Sequence, residues 1–152
     1  MTLEEAGRFI LDQQFASFGF FGEDNHPGIR RVFSTWHKGM GTHLISTNTS
    51  SMHVRAIRKN PKACLYFDDC DSFQAVCLTG EAILHFDHEY RAQLWHEGDE
   101  KYYSKGVDDE DYCVIEFKAT GGRFYRFDGM GDITAEELTV FDRDAVMKDY
   151  AK

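Results

Sequence analysis

The chain has 152 residues, 42% hydrophobic and 14% aromatic, with 17 Lys+Arg against 26 Asp+Glu and a net charge of −9. Such a composition describes one globular domain with a single sizeable core, and its acidic balance argues against nucleic-acid or membrane-surface binding, both of which favour net positive charge. No apolar run approaches a spanning length, and the first residues lack the positive and apolar blocks of a signal peptide, so a cytoplasmic protein is expected.

Residues 3–14 read as a short amphipathic helix with Leu3, Ala6, Phe9 and Ile10 on one side. Residues 15–22 alternate as a strand does, Phe18 and Phe20 opposite Ser17 and Gly19, and 23–28 form a turn. A second strand is expected over 29–37, a turn over 38–41 and a short third strand over 42–46. Residues 47–51 offer several helix N-caps, and 52–59 read as a helix stopped by Asn60-Pro61. Two longer strands follow over 62–68 and 73–86, with Gly80 marking a bend or bulge. A helix is expected over 88–97, then a solvated connection over 97–111 that holds seven acids and two lysines. A last hairpin is expected from 112–117 and 123–127 around Gly121 and Gly122, and the tail, 133–152, supplies a short strand and a helix. Antiparallel strands interrupted by helices fit a mainly β fold, a small barrel whose closure removes exposed strand edges.

The charges are segregated. From Asn25 to Phe67 no Asp or Glu occurs, while Arg30, Arg31, Lys38, Arg55, Arg58, Lys59 and Lys62 all fall there. A local positive field on an acidic protein suits a small anionic ligand better than a polyanion. On a strand of period two, Arg30, Val32, Ser34 and Trp36 share one face and Arg31, Phe33, Thr35 and His37 the other. Apolar side chains beside a guanidinium could serve a flat, phosphate-bearing cofactor, although a solvated arginine on a half-buried strand is the commoner reading. The run from Ser46 to His53 enters a helix N-terminus, where free N–H groups and the dipole favour anions; a plain cap explains the same residues. Cys64, Cys70, Cys77 and Cys113 make no metal-ligand spacing and are expected to be free thiols, Cys64 and Cys77 buried. The seven histidines are scattered, and no metal site is expected. Trp36 and Trp95 are assigned to core packing.

Three ordered motifs carry a resemblance: Pro-x-x-Arg-x-Val at 27–32, Ser-Thr-Asn at 46–48, and Ser-x-x-Val-x-x-Ile-x-x-Asn-Pro at 51–61. Together with residues 63–67, 76–82, Leu94-Trp95, 105–109 and 112–117, they resemble the FMN-binding split barrels, more narrowly the pyridoxamine 5′-phosphate oxidase-like proteins of the general stress protein branch. The resemblance covers about residues 3–127, within a single domain over 1–152 whose C-terminal extension is 128–152. It implies a six-stranded antiparallel split barrel that forms a homodimer and binds FMN at the subunit interface. By position, Arg30 would meet the phosphate or ribityl chain, Val32, Phe33 and Ser34 would lie along the isoalloxazine, and Thr47, Asn48 and Ser51 would stand near phosphate or ring edge. Met52 and His53 occupy the place where relatives carry Arg-Lys or x-Lys, so His53 stands in for a lysine phosphate contact. If charged, it should hold FMN less tightly as pH rises. The ring-contacting glutamine of the oxidases aligns with Ala75, one residue from Gln74, and their C-terminal substrate residues have no counterpart.

The expected function is an FMN-dependent oxidoreductase acting on a small-molecule redox substrate, with the flavin doing the chemistry. The alternatives are a non-catalytic flavin-binding or stress-response module, and a split barrel that holds haem, a deazaflavin or nothing.

Overall fold

The computed structural model describes residues 1–144. Thr2 opens the first helix, α1 (Leu3–Asp12), with a capping box: its hydroxyl accepts from the Glu5 N–H at 3.2 Å, and the Glu5 carboxylate accepts from the Thr2 N–H at 2.6 Å. Ala6, Phe9 and Ile10 on its buried side enter the core. The strands are β1 (Phe15–Phe21), β2 (Pro27–Phe33), β3 (Trp36–Lys38), β4 (Thr42–Asn48), β5 (Lys62–Asp69), β6 (Gln74–His85), β7 (Tyr112–Arg126) and β8 (Gly129–Ile133). The remaining helices are α2 (Met52–Lys59), α3 (His88–Leu94) and α4 (Ala135–Asp144). None is long and apolar enough to cross a membrane.

All eight strands join one antiparallel sheet in the order β2-β1-β5-β6-β7-β4-β3, with β8 on β7. The sheet curls into the expected mainly β split barrel. Six strands have seven residues or more; the three-residue β3 and five-residue β8 are additions to that frame. Phe18, Leu65, Phe67, Val76, Leu78, Ile115 and Phe117 fill the interior. A second cluster of Leu44, Leu94 and Val114, flanked by Trp36 and Tyr90, packs α3 on the outside of β4 and β7.

Several expected bounds shift for identifiable reasons. The strand expected over 29–37 stops at Phe33, because the Ser34 N–H donates to the Gln14 carbonyl at 2.9 Å and the chain turns before β3. The strand expected over 42–46 continues to Asn48, held by pairing of Thr47 with Cys113 and of Asn48 with Tyr112. Gly80 does mark a bulge, the register shifting between Thr79 and Gly80, and a Cβ there would collide with the Lys118 carbonyl. Gly121 and Gly122, however, make no turn. Strand β7 runs through them because they let strands approach closely: a Cβ on Gly122 would lie 2.7 Å from the Cys77 carbonyl oxygen. The hairpin turns instead at Phe127-Asp128, closed by Arg126 opposite Gly129 (φ 154°). Helix α3 ends at Leu94 rather than 97, Trp95 being extended. The tail supplies β8 and α4 earlier than expected; residues 145–152 of that expectation lie outside the described residues. Asp142 on α4 ties the tail to the turn before β4, accepting from the Met40 and Gly41 N–H groups at 2.8 and 3.0 Å.

Candidate functional site

The barrel is split because its two edge strands do not meet. Strand β2 pairs only with β1, and β3 covers only Thr42, His43 and Leu44 of β4. The rest of β4, Ile45–Asn48, therefore shows a free edge toward β2, which lies against it. Unpaired strand edges carry exposed N–H and C=O groups, which a ligand can use. A groove of about 860 Å³ opens along this seam. Arg30, Arg31, Val32 and Phe33 line one side, Ser46, Thr47 and Asn48 the other, His53 one end, and His96, Asp99, Lys101, Tyr102 and Tyr103 the outer wall.

One end of the groove is cationic. Arg30 is exposed, its guanidinium donates only to the Ile29 carbonyl at 3.2 Å, and no carboxylate pairs with it among the described residues. Helix α2 begins beside it with no acid in its first turn and no side-chain bond from its N-cap, Ser51. His53, in that first turn, places Nε2 2.7 Å from the Thr47 hydroxyl, while its Nδ1 is buried without a partner. Burial, and then the nearby Arg30 charge, push the His53 pKa below the usual histidine range. His53 is accordingly neutral at neutral pH, a hydrogen-bonding group rather than a substitute for lysine's charge.

Asp111, just before β7, organises the neighbouring loop. Its carboxylate accepts from the Asn48 side-chain amide and from the Ser50 N–H, both at 2.8 Å, and these bonds hold its pKa below the usual carboxylate range. The Tyr103 hydroxyl donates to the other end of Asn48 at 3.4 Å. Asn48 is thus fixed on both sides as part of the wall. Tyr103 itself is buried, with its ring 4.6 Å from Tyr112 and 6.2 Å from Trp95. The acidic connection is therefore not merely solvated: of its two short 3-10 turns, Asp99–Lys101 lines the groove and Gly106–Asp108 packs against α3.

Of the nine residues expected at a cofactor site, the structure brings Arg30, Val32, Phe33, Thr47, Asn48 and His53 to this groove. It does not bring the other three. The Ser34 hydroxyl is buried and unpartnered beneath the seam, among Ala16, Trp36 and His43. Ser51 is the half-buried cap, and Met52 is 48% exposed and does not line the groove. His96, Asp99, Tyr102 and Asp111 were not among the expected residues; they carry no motif, and only the tertiary fold places them here. Cys64 and Cys77 are half-buried rather than buried, Cys70 is exposed and Cys113 buried, all four as free thiols. The Ala75 side chain is buried, and the Gln74 amide donates to the Ser72 hydroxyl at 2.7 Å.

A family model described as pyridoxamine 5′-phosphate oxidase like matches residues 37–135. The chain belongs to the pyridoxamine 5′-phosphate oxidase-like family. The match takes in β4, the α2 motif and β5–β8, and leaves β2, with Arg30, outside it. Among solved structures, the chain is 32% identical to a protein from Clostridium acetobutylicum related to general stress protein 26 of B. subtilis, of the pyridoxinephosphate oxidase family. That likeness covers 90% of this chain and 96% of the other, with a TM-score of 0.80. General stress protein 26 from Bacillus anthracis shares the fold at 15% identity and a TM-score of 0.69, over 86% of this chain and 96% of that one. A heme-binding protein from Mycobacterium smegmatis shares it at 19% identity and a TM-score of 0.72, over 90% of this chain and 59% of that one. No curated protein matches the chain. The seam groove holds six of the residues expected from the motifs.

Proposed function

We propose that this family member binds FMN in the seam groove and acts as a flavin-dependent oxidoreductase on a small-molecule redox substrate. The observation that carries the reading is the Arg30 guanidinium, without a carboxylate partner among the described residues, beside His53 with its orphaned Nδ1, at one end of a groove that strand β2 lines with Val32 and Phe33. A volume of about 860 Å³ lies within the ~300–1,000 Å³ typical of small-molecule sites. The group fits: a phosphate needs a cation and donors, and an isoalloxazine needs apolar contact and an edge of hydrogen-bonding backbone.

Bound FMN would supply hydride and electron chemistry. Arg30 would fork onto the phosphate oxygens. The Thr47 hydroxyl and the His53 ring, already hydrogen-bonded to each other, would present a fixed donor geometry that needs no rearrangement on binding. Val32 and Phe33 would contact the ring, and the free edge of β2 would offer backbone groups to its polar rim. Tyr102, 77% exposed on the outer wall, and Phe33, 63% exposed on the inner, leave the groove mouth open. We infer that a second copy of the chain completes this mouth in a homodimer, and that the protein is cytoplasmic, where four free cysteines are at home.

Haem is the second reading. It is favoured by the heme-binding structural neighbour and by His96, half-buried on the groove wall and available as an axial ligand. Purification without added cofactor, followed by a visible spectrum and chromatography of the released chromophore, separates the readings. Released FMN supports the flavin site. A Soret band selects haem. A colourless protein that also fails to bind added FMN overturns the proposal.

A further inference from the structure

Residues 105–111 are tied to the end of β4 by a chain of hydrogen bonds. The Asp109 carboxylate accepts from the Lys105 and Asp111 N–H groups, both at 3.0 Å. The Asp111 carbonyl accepts from the Thr49 N–H at 2.7 Å. Its carboxylate accepts from the Ser50 N–H through Oδ1 and from the Asn48 side-chain amide through Oδ2, each at 2.8 Å. Asn48 itself is held in the ladder opposite Tyr112. Asp111 is half-buried and does not line the groove, whereas Asn48 does.

These contacts dictate which way round the Asn48 amide sits. An ionised carboxylate only accepts, so the Nδ2 end of Asn48 faces Asp111, and its Oδ1 end meets the Tyr103 hydroxyl, which donates at 3.4 Å. An amide carries two N–H donors and two acceptor lone pairs. One of each is used inside the protein, which leaves one N–H and one lone pair, in fixed places, for an occupant of the groove. We propose that Asp111 is a positioning residue of the seam site: it sets the hydrogen-bond polarity that Asn48 presents to bound FMN. The inference rests on the flavin reading of the groove, and Asp111 acts in it only through Asn48.

Asp111→Asn isolates this role with almost no change of shape, since one carboxylate oxygen becomes an NH2 group. The Ser50 N–H belongs to the backbone and cannot turn, so the remaining oxygen of residue 111 stays on it and the new NH2 faces Asn48. Two amide N–H groups would then oppose each other unless the Asn48 amide turns over. Turned, its oxygen accepts from residue 111 and its NH2 donates to the Tyr103 hydroxyl, which is able to accept. The internal bonds survive, while the N–H and the lone pair left for the ligand exchange places.

The test titrates the full-length protein into FMN, read by quenching of flavin fluorescence, with thermal melts of the same ligand-free samples. Asp111→Asn should melt close to wild type and weaken FMN binding by about tenfold, one hydrogen bond being lost and a mismatched pair left in its place. In an Asn48→Ala background the same substitution should leave Kd unchanged, because no amide remains to be reversed. The reciprocal double variant, Asn48→Asp with Asp111→Asn, keeps the net charge and every internal bond, residue 111 now donating to residue 48. It should melt like wild type yet bind FMN no better than Asp111→Asn, because position 48 has lost its free N–H. Wild-type affinity in the double variant would show that Asp111 only braces the loop, and would overturn the proposal. An unchanged Kd in Asp111→Asn, or an equal loss in the Asn48→Ala background, would overturn it too. Should Asp111→Asn alone melt early, the double variant carries the test. A wild type that binds no FMN overturns the flavin reading and the proposal together, and shows itself before any variant is made.

Discussion

Replacing Arg30 by alanine deletes a guanidinium of the groove that has no carboxylate partner among the described residues. In FMN binding it is assigned a charge-assisted contact to phosphate, of a kind that contributes about 1.5–3 kcal/mol. Since about 1.4 kcal/mol is tenfold in affinity, the loss corresponds to about 10- to 100-fold in Kd. Arg30 is exposed, and water and salt screen such contacts, which places the expectation near the tenfold end. Titration of apo-protein into FMN, followed by quenching of flavin fluorescence, reads this directly. The wild-type advantage should shrink as ionic strength rises. Arg55→Ala is the matched control: Arg55 lies on the outward side of α2, its Nε 3.2 Å from the Glu23 carboxylate, and its loss should leave Kd unchanged. An unchanged Kd for Arg30→Ala, or an equal loss in Arg55→Ala, would refute the assignment.

Three further outcomes are expected. Because His53 is held neutral, FMN affinity should stay flat as pH rises above neutral, whereas His53→Lys should tighten binding by about tenfold through an added charged contact; an affinity that falls with rising pH in wild type contradicts the neutral assignment. His43 is fully buried, and its pKa is lowered to about 3, by burial first and then by the charge of His37. The unfolded chain, with histidine near its ordinary 6.5, binds more protons than the folded one between those values. Stability is therefore fully present above pH 6.5 and lost as pH falls toward 3, by about 1.4 kcal/mol per pH unit from this group. Denaturant melts across that range should show the slope, and a flat profile counts against it. Asp142→Ala removes the acceptor for the Met40 and Gly41 N–H groups and should cost about 1.5–3 kcal/mol in the same melts, with no change pointing to a tail that is not docked.

Local signals were legible wherever one interaction decides the element. Helix α2 has the expected bounds: Asn60-Pro61 ends it, and Val54, Ala56 and Ile57 define its buried side, although its N-cap, Ser51, makes no side-chain bond. The Gly80 bulge was legible for the same reason. What the chain concealed are decisions made by distant neighbours. Gly121-Gly122 carries the mark of a turn, yet its role is to let β7 pass close to Cys77 on β6. The charges of 97–111 look like those of a solvated loop, but Tyr103 anchors the segment against Tyr112 and Asn48, and so builds the outer wall of the groove. Within the site, Arg30, Thr47, Asn48 and His53 were recognisable from motif order. Ser34 was misplaced because the strand stops one residue before it, so period-two alternation no longer applies. The neutral state of His53 could not be read from sequence, since it follows from burial and from Arg30 on a different strand.

A crystal structure of the protein grown with FMN tests the central claim most directly. The account predicts flavin density along the seam between β2 and the 96–103 wall, with its phosphate at Arg30 and next to Thr47 and His53. Density on another face of the barrel, or a seam left empty at saturating FMN, would contradict it.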